Sequence, residues 1–167
     1  MKVEIGESII YSWLRHIKKC EVAQTNWKIS PTWVIKPLPG ELLNSIPQTF
    51  GTDIFKRSVN IDQVIKQAEI DVFGYSFSEN KIYAIDVAFH ENGLSYGNAE
   101  ETIKRVRKKI LRSALVILGC FGKIESEIIF SSPKINKDRI NGIRLAIQEI
   151  DDFLGPFNIL CHHPTGA

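Results

Sequence analysis

Cysteine is scarce in this chain. Its 167 residues hold three, Cys20, Cys120 and Cys161; widely spaced and odd in number, they fit reduced thiols and exclude both a disulfide framework and a spaced zinc motif. Long apolar runs are missing too. The longest nearly unbroken one, Ala114 to Phe121, is far short of the roughly 18–20 residues that a membrane span needs. Neither charge prevails, since 21 Lys and Arg against 19 Asp and Glu leave a net +2, so charge-driven partners must be read from where the charges sit. The sequence has no GxxxxGK(S/T) loop, GxGxxG turn, GxSxG elbow or HExxH helix. Nucleotide hydrolysis, dinucleotide chemistry, serine hydrolysis and the common zinc-protease route therefore lack support. Glu4 and Glu7 occupy the stretch where a secretory signal would need an apolar core, which points to a cytoplasmic protein.

What is present is the composition of one ordinary soluble domain. Apolar residues at 44% and charged residues at 24% suffice for a real core, and the length fits a single domain over 1–167 rather than two. Val3, Ile10, Leu14 and Ile17 recur at helical spacing and predict a helix over 3–20, with Glu7 on the same stripe. A strand is expected over 22–29. Residues 31–67, broken by Pro37, Pro39, Gly40, Pro47 and Gly51, read as an insertion with one to three short helices and no core of its own. Two runs rich in β-branched and aromatic residues, 69–77 and 81–89, are joined by Ser78, Glu79 and Asn80 as a β-hairpin. Asn98 and Glu101 suit a capping box opening a helix over about 98–120. Its Ile103, Val106, Ile110, Ala114, Ile117 and Phe121 share one arc and should dock lengthwise on a sheet. A strand over 125–132, a helix over 137–154 and a tail over 157–167 complete the chain. The expected class is α/β, a mixed central sheet flanked by helices. In the tail, Cys161, His162 and His163 are metal-ligand types, but three adjacent residues cannot enclose a cation and read as a frayed end or cloning remnant.

The hairpin carries the candidate chemistry. Side chains alternate along a strand, which sets Asp86, Ala88 and His90 on one face of the second strand and Glu69 and Asp71 on one face of the first. An ionised carboxylate in a buried strand is costly unless a cation, donor or metal compensates it. Taken singly, Asp71 and Asp86 read equally well as strand ends in contact with water. Taken with a third acid facing them from a helix, they make a set of hard oxygen ligands suited to Mg²⁺ or Mn²⁺. Phosphodiester hydrolysis requires such a cation.

Here the chain resembles the PD-(D/E)XK nuclease superfamily, the restriction-endonuclease-like fold. The αβββαβ core of that family matches the predicted order over about residues 3–132, once 31–67 is set aside as an insertion. Glu7 in GES resembles the family's helical acid, Asp71 in EIDVF its first strand acid, and Asp86 in AIDVAF the second acid of the (D/E)XK element. The run from GES through TNW, then EID, then a hydrophobic strand ending in an acid is also similar to the resolvase-like and YraN-like branches. The resemblance implies a Mg²⁺- or Mn²⁺-dependent endonuclease acting on DNA, with Glu7, Asp71 and Asp86 as metal ligands. One position departs from the pattern: Ala88 stands where the family has the lysine that orients water and balances developing charge. Some members carry the equivalent base on the following helix, which makes Lys104 and Arg107 the candidates. Each alone reads as readily as a side chain snorkelling to solvent. His90 and Glu91, just past the strand, are candidate rim groups, as ligand or proton carrier, or His90 is merely hydrogen-bonded.

Arg105, Lys108, Lys109 and Arg112 point away from the apolar arc. With few acids after Glu101, they either hold a nucleic-acid backbone by charge or form an ordinary solvated face. DNA is the expected partner and a membrane is not, with a homodimer left open. The alternatives are a catalytically silent module of the same fold that binds DNA or a protein through the basic helix 98–120, and a purely structural protein.

Overall fold

The computed structural model describes residues 2–55, 60–90 and 92–163. Helix α1 (Lys2–His16) leads into strand β1 (Val22–Trp27), and helices α2 (Gly40–Phe50) and α3 (Ile61–Gln67) follow. Then come strands β2 (Ile70–Ser76) and β3 (Lys81–Val87), helix α4 (Ala99–Phe121), strand β4 (Glu125–Ser131) and helix α5 (Lys137–Leu154). A 3-10 turn (Gly155–Phe157) and strand β5 (Ile159–His162) close the chain. The strands form one sheet in the order β1-β2-β3-β4-β5, antiparallel from β1 to β3 and parallel from β3 to β5. The class is α/β, a five-stranded mixed sheet flanked by helices. Among the described residues no helix is long and apolar enough to cross a membrane.

Two apolar layers cover the sheet. The smaller lies under α1, where Leu14 and Cys20 meet Val72, Tyr83, Ile85, Val87 and Ile129. The larger lies on the opposite face and joins α4 and α5 to Ile82, Ala84, Ile128 and Phe130. Leu42 and Ile46 of α2 and Val64 and Ile65 of α3 belong to this same core, so the 31–67 insertion completes the second layer. The capping box at Asn98 and Glu101 forms as expected. The rest of α4 departs from the amphipathic expectation. From Ile110 to Cys120 every residue but Arg112 is buried, because α3 and α5 press on its flanks while β3 and β4 lie beneath.

The ends of two elements also differ from the sequence reading. Helix α1 stops at His16 instead of running to Cys20, because Lys19 turns the chain at φ 55° and the Cys20 N–H folds back to the Leu14 carbonyl at 2.9 Å. Ile17, expected on the inner stripe, is left 67% exposed. The tail is a strand and not a frayed end. Ile159 and Cys161 point inward and pair beside β4, and the Cys161 N–H donates to Asp151 Oδ1 at 2.6 Å. Four residues were too few to show a period in the sequence.

Glu127 ties this fifth strand to the sheet. It is 6% exposed and held between His162 Nε2 and Lys81 Nζ, the latter at 3.0 Å. The hydrogen bond from His162, then those from Lys81, hold its carboxyl down at about 2. A carboxylate depressed in the folded state contributes stability above its unfolded value of 4.5 and loses it as pH falls toward 2. Glu127→Gln is therefore expected to lower stability at pH 7 by about 1–3 kcal/mol. It should also flatten the acid limb of urea unfolding measured from pH 5 down to about 2. An acid limb unchanged from the parent would remove Glu127 from this role.

Candidate functional site

Three local features meet at the end of the sheet where β2 begins and β3 ends. The first is the end of a ladder. Strands β2 and β3 pair as far as Val72↔Ile85, and one further step in that register sets Asp71 across from Asp86. Asp86 faces α4, its Oδ2 accepting from Ser113 Oγ at 3.1 Å, while the alternation of β2 reverses around Asp71, since Ile70 lies in the α4 layer and Val72 under α1. Where backbone pairing stops, the Asp71 carboxylate takes over and accepts the Val87 N–H at 2.7 Å.

The second feature is a kink in β1. Residues four apart in an unbroken strand share a face, yet Ala23 packs under α1 while Trp27 stacks on Phe73 in the opposite layer. The reversal falls at Asn26, whose φ is 51°, and it directs the Asn26 side chain to Glu7. The third feature is Gly6. A Cβ there would lie 3.1 Å from Val87 Cγ1 and 3.3 Å from Phe89 Cδ2, so the lack of a side chain lets the first turn of α1 lie against the end of β3. That contact brings Glu7 to the sheet end.

The electrostatics follow from this crowding. Burial, then Asp71 and Glu69, push the Glu7 carboxyl up, and the Asn26 hydrogen bond opposes them. Burial pushes Asp86, only 1% exposed, up to about 6; Asp71 adds to this, while Lys109, Ser113 and Arg112 pull the other way. Asp71 is thus within electrostatic reach of Glu7, which comes from the helix on one face of the sheet, and of Asp86, which points to α4 on the other. Glu69 is engaged separately by Lys28 Nζ at 2.7 Å. Among the described residues no three His, Cys, Asp or Glu side chains stand ready-made around a single point.

The cations of α4 divide differently from what their spacing implied. Lys104 pairs with Asp53 and Arg107 with Glu149, both on the side of α4 turned from Ser113. The cations in reach of Asp86 are Lys109 and Arg112. Among the described residues Lys28, Lys81, Lys104, Arg107, Arg139 and His162 form ion pairs, and Arg105, Lys108, Lys109 and Arg112 do not. Ala88 is buried, with its N–H bonded to the Ser131 carbonyl at 2.8 Å.

Sequence reasoning passed over Tyr96. Its phenol lies in reach of Lys109, Asp86, Asp71 and Arg105. The Arg105 guanidinium sits 5.3 Å from its ring centroid, and the His90 ring meets it edge-on with centroids 4.9 Å apart. His90 therefore borders the site through this ring, while Glu91 lies outside the described residues. The Tyr96 N–H donates to Thr102 Oγ1 at 3.1 Å and so folds the loop back on the start of α4. Comparison with protein-family models, with curated proteins and with solved structures returns no match to this chain.

Proposed function

We propose that the chain is a metal-dependent nuclease domain of the PD-(D/E)XK superfamily that hydrolyses phosphodiester bonds in DNA. The observation that carries this reading is a buried acid, Asp86, in reach of a second acid, Asp71, and of Lys109 and Arg112, two cations without ion pairs among the described residues. The element order helix, three strands, helix, strand also agrees with the restriction-endonuclease-like core. The donor types suit a hard divalent ion, because Glu7, Asp71 and Asp86 offer carboxylate oxygens from three elements. Mg²⁺ or Mn²⁺ held by Glu7, Asp71 and Asp86 would shield the phosphate and lower the pKa of the attacking water. Lys109, rather than Lys104 or Arg107, is suited to the charge-balancing task of the missing motif lysine, since it already balances Asp86. Arg105, Lys108 and Arg112 continue the positive stripe along which flanking phosphates would lie.

The direct test incubates the full chain with supercoiled, linear and branched DNA in Mg²⁺ or Mn²⁺. Cleavage is expected in the parent and lost in Lys109→Ala, whereas Lys104→Ala and Arg107→Ala should cleave within about threefold of the parent, as exposed ion pairs contribute little. Loss in the latter two with Lys109→Ala unaffected would reverse this assignment. Binding supplies a second expectation. Replacing Arg105, Lys109 and Arg112 together by Ala should reduce the slope of log affinity against log salt by about 0.9 for each duplex phosphate contact removed. A slope equal to the parent's would place DNA elsewhere.

The alternative is a silent module that holds DNA without cutting, favoured by Ala88 at the lysine position. It predicts the same salt-sensitive binding, no cleavage with any divalent ion, and binding indifferent to neutralising Asp86.

A further inference from the structure

We infer that Tyr96 is a substrate-contacting residue of the acidic site, its phenolic O–H donating to a non-bridging phosphate oxygen of the bound DNA strand. The inference rests on the nuclease reading and names the residue that would position its substrate. A phosphate lying along the positive stripe of α4 passes this side chain, because the Arg105 guanidinium sits 5.3 Å from its ring centroid, with Lys109, Asp86 and Asp71 in electrostatic reach of the phenol. A neutral donor is well suited to that place. It binds a phosphate oxygen without drawing the neighbouring carboxylates into an ion pair, as a further lysine would.

The loop is built to hold this side chain. Leu94 is fully buried and its N–H bonds to the Lys134 carbonyl at 2.9 Å. Arg139 Nη1 reaches from α5 to Ser95 Oγ at 2.9 Å and Thr102 Oγ1 at 3.2 Å. Gly97, at φ 97°, follows Tyr96 directly, and a Cβ there would stand 1.9 Å from Glu101 Oε2 of the capping box. Only glycine permits this close return to the helix. Among the described residues Tyr96 forms its hydrogen bond through its backbone N–H, which leaves the hydroxyl for a ligand.

Tyr96→Phe keeps the ring contacts with His90 and Arg105 and removes only the hydroxyl. The parent and this variant are compared for binding of a fluorescein-labelled linear duplex and a labelled four-way junction in Ca²⁺, and for cleavage of both in Mg²⁺. Expected for the variant are an unchanged melting temperature, affinity weaker by about tenfold and KM raised in step, with kcat within about twofold. Single methylphosphonates placed along the strand give the decisive readout. At one position the parent should lose about tenfold in affinity and Tyr96→Phe less than about twofold, because the shared contact is already gone. Affinity equal to the parent's, or a loss with no such position, overturns the inference while leaving the nuclease reading intact. Failure of the parent both to bind and to cut overturns the two together.

Discussion

Asp86→Asn should make the protein more stable at neutral pH, and by a large margin for one substitution. The Asp86 carboxyl is 1% exposed and burial lifts it from 3.8 to about 6. The sign follows from linkage: an acid whose folded value is raised above its unfolded one disfavours folding once ionised. Stability is therefore full below about pH 3.8 and is lost as pH rises through about 6. The gap is about two pH units, worth on the order of 3 kcal/mol at pH 7. The asparagine avoids that cost and keeps an oxygen to accept from Ser113 Oγ. Urea unfolding of both proteins from pH 4 to 8 should show coincident stabilities near pH 4 and a widening difference up to about pH 7. An asparagine variant less stable than the parent at pH 7 would show that Lys109, Arg112 and Ser113 already compensate the charge. Mg²⁺ adds a second axis: it should stabilise the parent by binding the folded state and leave Asp86→Asn nearly unmoved. A costly buried acid whose removal stabilises the fold but ends activity is the signature of a residue kept for function.

On the proposed nuclease reading, Asp71→Asn carries the largest expected effect on cleavage. Asparagine can still accept the Val87 N–H, now taken by Asp71 Oδ2 at 2.7 Å, so the sheet end should persist and the change reduces to one lost charge between Glu7 and Asp86. A shared ligand of a catalytic cation is worth several kcal/mol in the transition state, so cleavage should fall about a thousandfold. Single-turnover rates in saturating Mn²⁺ provide the measurement. Rates within tenfold of the parent at unchanged melting temperature would remove Asp71 from the centre of the site. With this charge gone, Asp86 loses one of the groups that raise it, so the stability gained at neutral pH from Asp86→Asn should be smaller in the Asp71→Asn protein than in the parent.

Much of this was legible in the amino-acid order. Alternation placed the hairpin, a 3.6-residue stripe placed α5, and Asn98 with Glu101 announced the start of α4, because each signal arises within a few residues of one element. Glu7, Asp71 and Asp86 stood out because charge in an apolar element is costly wherever it falls. What the order of residues left open has a physical cause as well. Lys104 and Lys109 sit five residues apart on one helix, and sequence spacing could not tell which would find Asp53 and which would face Asp86. That depends on how α4 is rotated over β3, which the packing of α3 and α5 against its flanks sets. Tyr96 was passed over because an aromatic in a glycine-bracketed loop has no periodicity to announce it.

From the order of residues alone came an α/β chain with a hairpin bearing two acids, a helix bearing a third, and a basic helix after them. These are properties of short segments, set by propensity and by the cost of burying charge. Folding in three dimensions decided that Asp71 comes within electrostatic reach of both Glu7 and Asp86, that Asn26 and Gly6 bring the helix to the sheet end, and that Lys109 and Tyr96 come within electrostatic reach of Asp86. Those are contacts between elements many residues apart, and their geometry is set by packing against the shared core.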